Sequence, residues 1–251
     1  MDVSFQRIQK IFKAISYHGQ TGSSNKRIEA SWYELWFHVL IHLCGRISKE
    51  ITIAPQYTLI DFSLRTQSGD ILSERWSLDV NPEDAADTDQ PASSGGLVLE
   101  YEQVIPDFCV FYTPGGWICE NRRLPLIIEI KPMRQHMGEA MDTQRNSRNV
   151  IKNEIIPQTL RQVTHGFAAY SNMSCIHVFC VVGHFWHTYQ ISRENYEAEK
   201  SKSKYMETLT RKLREEVEIR NLFDDSFTDY SADFFSTLAA IFVEPPKRPW
   251  Y

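Results

Sequence analysis

The chain has 251 residues, 42% of them hydrophobic, and a formal net charge of −5. That length and apolar content suit a globular core, and no run reaches the roughly 18 apolar residues that would cross a bilayer. The acidic balance argues against a passive polyanion binder. The N-terminal stretch MDVSFQRIQKIFKAIS lacks the uninterrupted apolar block of a secretory signal, so an intracellular address, cytoplasmic or nuclear, is expected.

Phe5, Ile8, Phe12 and Ile15 recur at helical spacing and predict an amphipathic helix over 3–16. HGQTGSSNKR reads as a loop. A second helix is expected over 29–47, with Trp32, Leu35, Trp36, Val39, Leu40 and Leu43 on its apolar side. Ser31 suits a cap at a late start, and Glu34 three residues on would complete a capping box. From Gln56 the period changes to two, so QYTLIDFSLRTQ and ILSERWSLDV read as strands joined by a tight turn. Residues 81–96 are acidic, rich in Pro, Ser and Gly, and predict a flexible loop. LVLEYEQVIPDFCVFYTPGG returns to extended structure. RLPLIIEIKP, short, β-branched and bounded by prolines, predicts a strand buried on both faces.

MGEAMDTQRNSRNVIKNEI is expected to be partly helical, and Pro157 suits the first turn of a further helix through QTLRQVTHGFAAY. SCIHVFCVVGHFWHTYQIS reads as a strand or a hairpin bent at Gly183. A charged helix is expected over 194–222, then an apolar helix in SADFFSTLAAIFV. The order of elements predicts an α/β (α+β) fold in a single domain over 1–251. Five cysteines with no C-x-x-C pair read as small core hydrophobes, not as a disulfide or zinc framework.

Charge is unevenly spread. Residues 74–102 hold eight acidic side chains and one basic, whereas residues 121–165 hold eight basic side chains against four acidic. Such asymmetry permits a phosphate-facing surface on an acidic protein, although charge runs are usually solvated faces.

Two carboxylates interrupt the apolar runs: Asp107 after Pro106, and Glu129 between Ile128 and Ile130. Burying such groups is costly unless something pairs with them. Residues two apart on a strand face one side, so Glu129 and Lys131 project together. If the strand holding Asp107 lies alongside, the two carboxylates can share a hard cation such as Mg2+. The bland alternative is a Glu129–Lys131 ion pair at a strand end, with Asp107 capping a turn.

Pro106-Asp107, a gap of 21 residues, then Glu129-Ile130-Lys131 on an apolar strand resembles the PD-(D/E)XK nuclease superfamily. The Gly-aromatic strand VVGHFWHTYQISR is similar to strands of its fungal branches. The resemblance implies a restriction-endonuclease-like core over about 29–192. A central mixed four- to five-stranded sheet would be flanked by helices, with extra helices at 3–16 and 194–243. It also implies a nuclease dependent on Mg2+ or Mn2+, acting on DNA or RNA. Asp107, Glu129 and the Ile130 carbonyl would be metal ligands, and Lys131 the catalytic lysine. Glu34, on the helix before the sheet, and His38, one turn on, match further ligand positions. Glu34 fits a cap equally well, and His38 and His42 fit core hydrogen bonding. Gln158, Arg161 and Gln162 are candidates for site-facing residues on the following helix, without the Q-x-x-x-Y spacing of some branches. Arg134, Arg145, Arg148 and Lys152 would join them against nucleic acid, and cutting of both strands would suit a homodimer. A catalytically inactive relative serving as a binding or scaffold module is the alternative function.

Overall fold

The computed structural model describes residues 3–20, 25–66, 71–72, 97–115, 121–133, 140–200 and 205–243. The fold is α/β. Six strands form a mixed sheet in the order β1 (Ile51–Pro55), β5 (Phe108–Tyr112), β6 (Arg123–Lys131), β7 (Cys175–Val182), β8 (Phe185–Ser192) and β9 (Arg220–Asn221). Only β6 and β7 run parallel; the other neighbours are antiparallel. A second hydrogen-bonded sheet has three strands, in the order β3 (Ile71–Leu72), β2 (Leu59–Thr66) and β4 (Leu97–Val104).

β6 carries seven consecutive buried residues, as a central strand covered on both faces requires. On one face Leu126, Ile128 and Ile130 pack with α1 (Val3–Gln20), α2 (Asn25–Ile47) and α7 (Ala232–Val243). On the other, Leu124 and Ile127 pack against α4 (Ile156–Ala169) and α6 (Tyr205–Glu215). The β6-to-β7 crossover runs through α3 (Ala140–Val150), a π-helical turn (Ile151–Ile155) and α4. At Gly166 α4 approaches the sheet so closely that a Cβ would stand 2.9 Å from Ile176 Cδ1.

The two sheets are joined by one long antiparallel ribbon. β1 pairs with β5 as far as Pro55–Phe108, and β2 pairs with β4 from Leu59–Val104. Between these pairs lie residues 56–58 on one strand and 105–107 on the other, so each breaks over the same three positions. Pro106 has no N–H for a ladder and restricts the residue before it. Gln56 opposite takes φ +50° and donates its N–H to the Asp107 carbonyl at 2.9 Å.

Several expectations need correction. α2 begins at Asn25, which places Ser31 inside the helix, so the Ser31–Glu34 capping box does not exist. The start and end of HGQTGSSNKR are helical, and α1 runs on to Gln20. The main sheet has six strands, not four or five. Residues 194–222 are not one helix: α5 (Arg193–Lys200) and α6 are followed by strand β9. Loop 81–96 and most of ILSERWSLDV lie outside the described residues, as do Cys119 and Arg134. Cys44, Cys109 and Cys180 are buried and unbridged. Among the described residues no helix is long and apolar enough to cross a membrane.

The turn between β7 and β8 depends on Gly183, which has φ +62°. A Cβ there would come within 2.6 Å of Met133 Cβ and 3.2 Å of Trp32 Cζ2. Gly183→Ala is therefore expected to lower stability by about 2 kcal/mol in urea unfolding, from the left-handed backbone alone and more from the clash. Gly45→Ala, inside α2 with nothing within 4 Å, is expected to raise it by about 0.5–1 kcal/mol in the same measurement.

Candidate functional site

Asp107 occupies the break in the ribbon, immediately before β5. The pairing of Phe108 with Ile128 puts Asp107 across from Glu129, near the C-terminal end of β6. Its carboxylate is fixed at both oxygens. Tyr33 on α2 donates its hydroxyl to Oδ1 at 2.7 Å, and the Ile130 N–H donates to Oδ2 at 2.6 Å. Tyr33 reaches this position because Tyr33 and Phe37, one turn apart on α2, both lie against Phe108.

Glu129 is 1% exposed, so its charge needs partners within the fold. Three are present. Lys131 Nζ is 2.9 Å from Oε1, Gln158 Nε2 donates to Oε1 at 2.6 Å, and Gln162 Nε2 donates to Oε2 at 2.8 Å. The two glutamines stand at i and i+4 on α4 and so share a face. The π-helical turn just before α4 shifts the helical phase where this face is set, a device often found beside functional sites.

The charges act on one another. Asp107 is pushed up to about 6, chiefly by burial and then by the Glu129 carboxylate, against the pull of the Ile130 N–H, Tyr33 and Lys131. Burial also raises Tyr33, with the hydrogen bond to Asp107 and the charges of Asp107, Glu129 and Glu29 adding to it. For Lys131 burial opposes the charge, but the Glu129 hydrogen bond and charge, with Asp107 and Glu29, outweigh it and raise the ammonium. Lys131 therefore stays protonated.

Glu29 was missed in the sequence reading, as was Tyr33. They lie one turn apart on α2, and the signal was their i, i+4 spacing in line with Phe37. Glu34 lies off that line: its side chain is 54% exposed and faces His38 Nε2 at 4.0 Å. His42 Nδ1 lies 3.0 Å from the Tyr230 hydroxyl. Ile130, nominated for its carbonyl, engages Asp107 through its N–H. Of the basic candidates, Arg145 and Arg148 are exposed on α3, and Lys152 is half-buried on the π-helical turn. Arg161 turns away from Glu129, pairing with Glu102 of β4 at 2.7 Å. Trp186 and Tyr189 are buried sheet residues, and Arg193 donates to the carbonyls of Phe167, Tyr170 and Met173.

Among the described residues no group of three or more His, Cys, Asp or Glu side chains is gathered to hold a metal ion. The pair Asp107 and Glu129 nevertheless offers hard oxygen donors at adjacent positions, and Mg2+ is commonly held by one or two carboxylates plus water. The chain matches no family model and no curated protein.

A carboxyl group whose pKa is higher in the fold than in the unfolded chain stabilises the fold when protonated. That contribution is complete below the unfolded value near 3.9 and is lost as pH rises through about 6. Asp107→Asn, which removes the ionised state, is thus expected to raise the thermal midpoint at pH 8. The gain should be on the order of 1–2 kcal/mol and should vanish near pH 4 in unfolding scans across this range. An equal effect at both pH values would refute the assignment of the shift to Asp107.

Proposed function

We propose that the chain is a Mg2+- or Mn2+-dependent nuclease of the PD-(D/E)XK type, hydrolysing phosphodiester bonds of DNA or RNA. The observation that carries this reading is the juxtaposition of Asp107, Glu129 and Lys131 across neighbouring strands, at the open end of an otherwise apolar sheet centre. Asp107 and Glu129 would hold the cation, with Glu29 nearby on α2 as a further acidic group. When bound, the cation polarises a phosphoryl oxygen and makes a water more acidic.

The chain's own residues do the rest. Lys131, kept protonated by Glu129, is a donor and a positive charge, so it stabilises negative charge growing on phosphate and does not act as a base. Gln158 and Gln162 fix the orientation of Glu129, while Tyr33 and the Ile130 N–H fix Asp107; such constraint lowers the reorganisation needed at reaction. Arg145 and Arg148 would meet flanking phosphates, making binding strongly dependent on salt.

A second reading is favoured by one observation: both oxygens of Glu129 already accept hydrogen bonds from protein side chains. A catalytically silent binding or scaffold module would keep this network as a purely structural device.

Two measurements separate the readings. Calorimetry with Mn2+ is expected to show binding that is lost in Asp107→Ala. Cleavage of nucleic acid with Mn2+ is expected to fall at least a hundredfold in Lys131→Ala, which loses a charge donor at the reacting group. Absence of Mn2+ binding and of cleavage on single- and double-stranded DNA and RNA would leave the scaffold reading.

A further inference from the structure

Beside the carboxylates, at the same end of the sheet, lies a cleft of about 230 Å³ that the mechanism above does not use. Met133, Val150 and Val182 make its apolar side. Thr143, Asn146, Ser147 and Asn149, from successive turns of α3, make its polar side.

Its position is fixed by register. Val182 on β7 pairs directly with Lys131 on β6, and neighbouring strands stand about 4.8 Å apart. Glu129 pairs with Cys180, so Cys180 and Val182 face the side from which Glu129 and Lys131 project. Met133, two residues past Lys131, lies over Gly183, where only a glycine leaves room for it. The cleft thus starts one strand away from the lysine.

The chemistry of the lining narrows what can enter. Among the described residues no charged side chain lines the cleft, which suits a neutral group better than the phosphate itself. Among the described residues the side chains of Thr143, Asn146, Ser147 and Asn149 make no hydrogen bond. Ser147 is only 2% exposed and so belongs to the inner wall of the cleft. Hydroxyls and carboxamides both donate and accept, which matches the edge of a heterocyclic base. The thioether and valine side suits a flat apolar face. The volume falls below the roughly 300 Å³ at which drug-sized pockets begin, and so limits the occupant to a single ring system.

We propose that this cleft receives one unstacked nucleobase of the substrate strand, next to the phosphate presented to Lys131. The inference rests on the nuclease reading and adds to it a substrate class: a single strand, or a frayed end, in which a base is free to leave its stack. Asn146 and Asn149 read the base edge, Ser147 completes the contact at the bottom, and Met133 and Val182 lie against the ring. Arg145 and Arg148, exposed on the same helix, are placed to follow the backbone on either side.

The test is fluorescence anisotropy on the full chain, at one salt concentration and without divalent metal. The probes are short labelled homopolymers of each base, in the ribose and deoxyribose series, and a matching strand lacking bases. The native chain is expected to prefer one base on the order of tenfold, the discrimination that a good pair of edge contacts supplies. Asn146→Ala/Asn149→Ala, both at exposed positions, is expected to abolish that preference and leave binding of the baseless strand unchanged. Equal affinity for every strand, no binding to any, or a preference that survives the double substitution would overturn the base site. Lys131→Ala is expected to retain the base preference. Preference without Mn2+-dependent cutting by the native chain would therefore support the base site while removing the nuclease reading. Cutting without preference would do the reverse.

Discussion

The buried carboxylate of Glu129 is the interaction around which the rest is arranged. A carboxylate within a run of seven consecutive buried residues is costly by several kcal/mol unless its oxygens are satisfied. Local sequence supplies only one partner, Lys131, two residues along the same strand. The other two come from α4, about thirty residues on, and both must reach the same small volume. That demand explains the close seat of α4 on the sheet at Gly166 and gives the π-helical turn before it a purpose. Glutamine suits the role because it donates without adding charge, so Lys131 keeps its full positive charge for other work.

Asp107 makes the arrangement harder to explain by stability alone. It faces Glu129 across the strand pair, and the Glu129 charge adds to burial in pushing Asp107 toward protonation. A ribbon continuing unbroken from β4 into β5 would carry a strand residue here, with no need of an acid. Pro106 and the positive φ of Gln56 interrupt the ladder instead, and the gap is filled by a carboxylate tied to Tyr33 and to the Ile130 N–H. Local rules broken in this way, with donors that hold the offending group still, are expected at functional or strained sites.

The central strand was legible because its pattern needs no partner to be read: a β-branched apolar run between prolines has few other uses. The shared face of Glu129 and Lys131 follows from the strand period alone. The glutamines stood at i and i+4, so their common face was legible too, but Arg161 between them could not be separated from them without the helical phase. Its partner, Glu102, belongs to a sheet whose separateness no local signal announces, since β2 and β4 alternate like any other strands. Tyr33 and Phe37 lie within the expected helix 29–47, but no local signal separates their line, which packs on Phe108 of β5, from the neighbouring line of Glu34. β9, two residues long, pairs only because the chain returns past β8, which is tertiary information.

Why the carboxylates and the α3 cleft share one end of the sheet has a topological answer. Among the described strands β6 and β7 are the only parallel neighbours, so the chain leaving β6 must cross back before it can enter β7. The crossover begins where β6 ends, just past Lys131, and carries α3 to the mouth of the pair before α4 descends along the sheet. Helices that open at the C-terminal ends of parallel strands make the crevice in which ligands of α/β proteins bind. Here the same segment supplies the polar side of the cleft from α3 and the holders of Glu129 from α4. A shift in the π-helical turn joining them would move both at once. The polar lining of the cleft and the two glutamines that hold Glu129 thus sit on one continuous stretch of helix, which under the proposed function would link base binding to the position of the buried carboxylate.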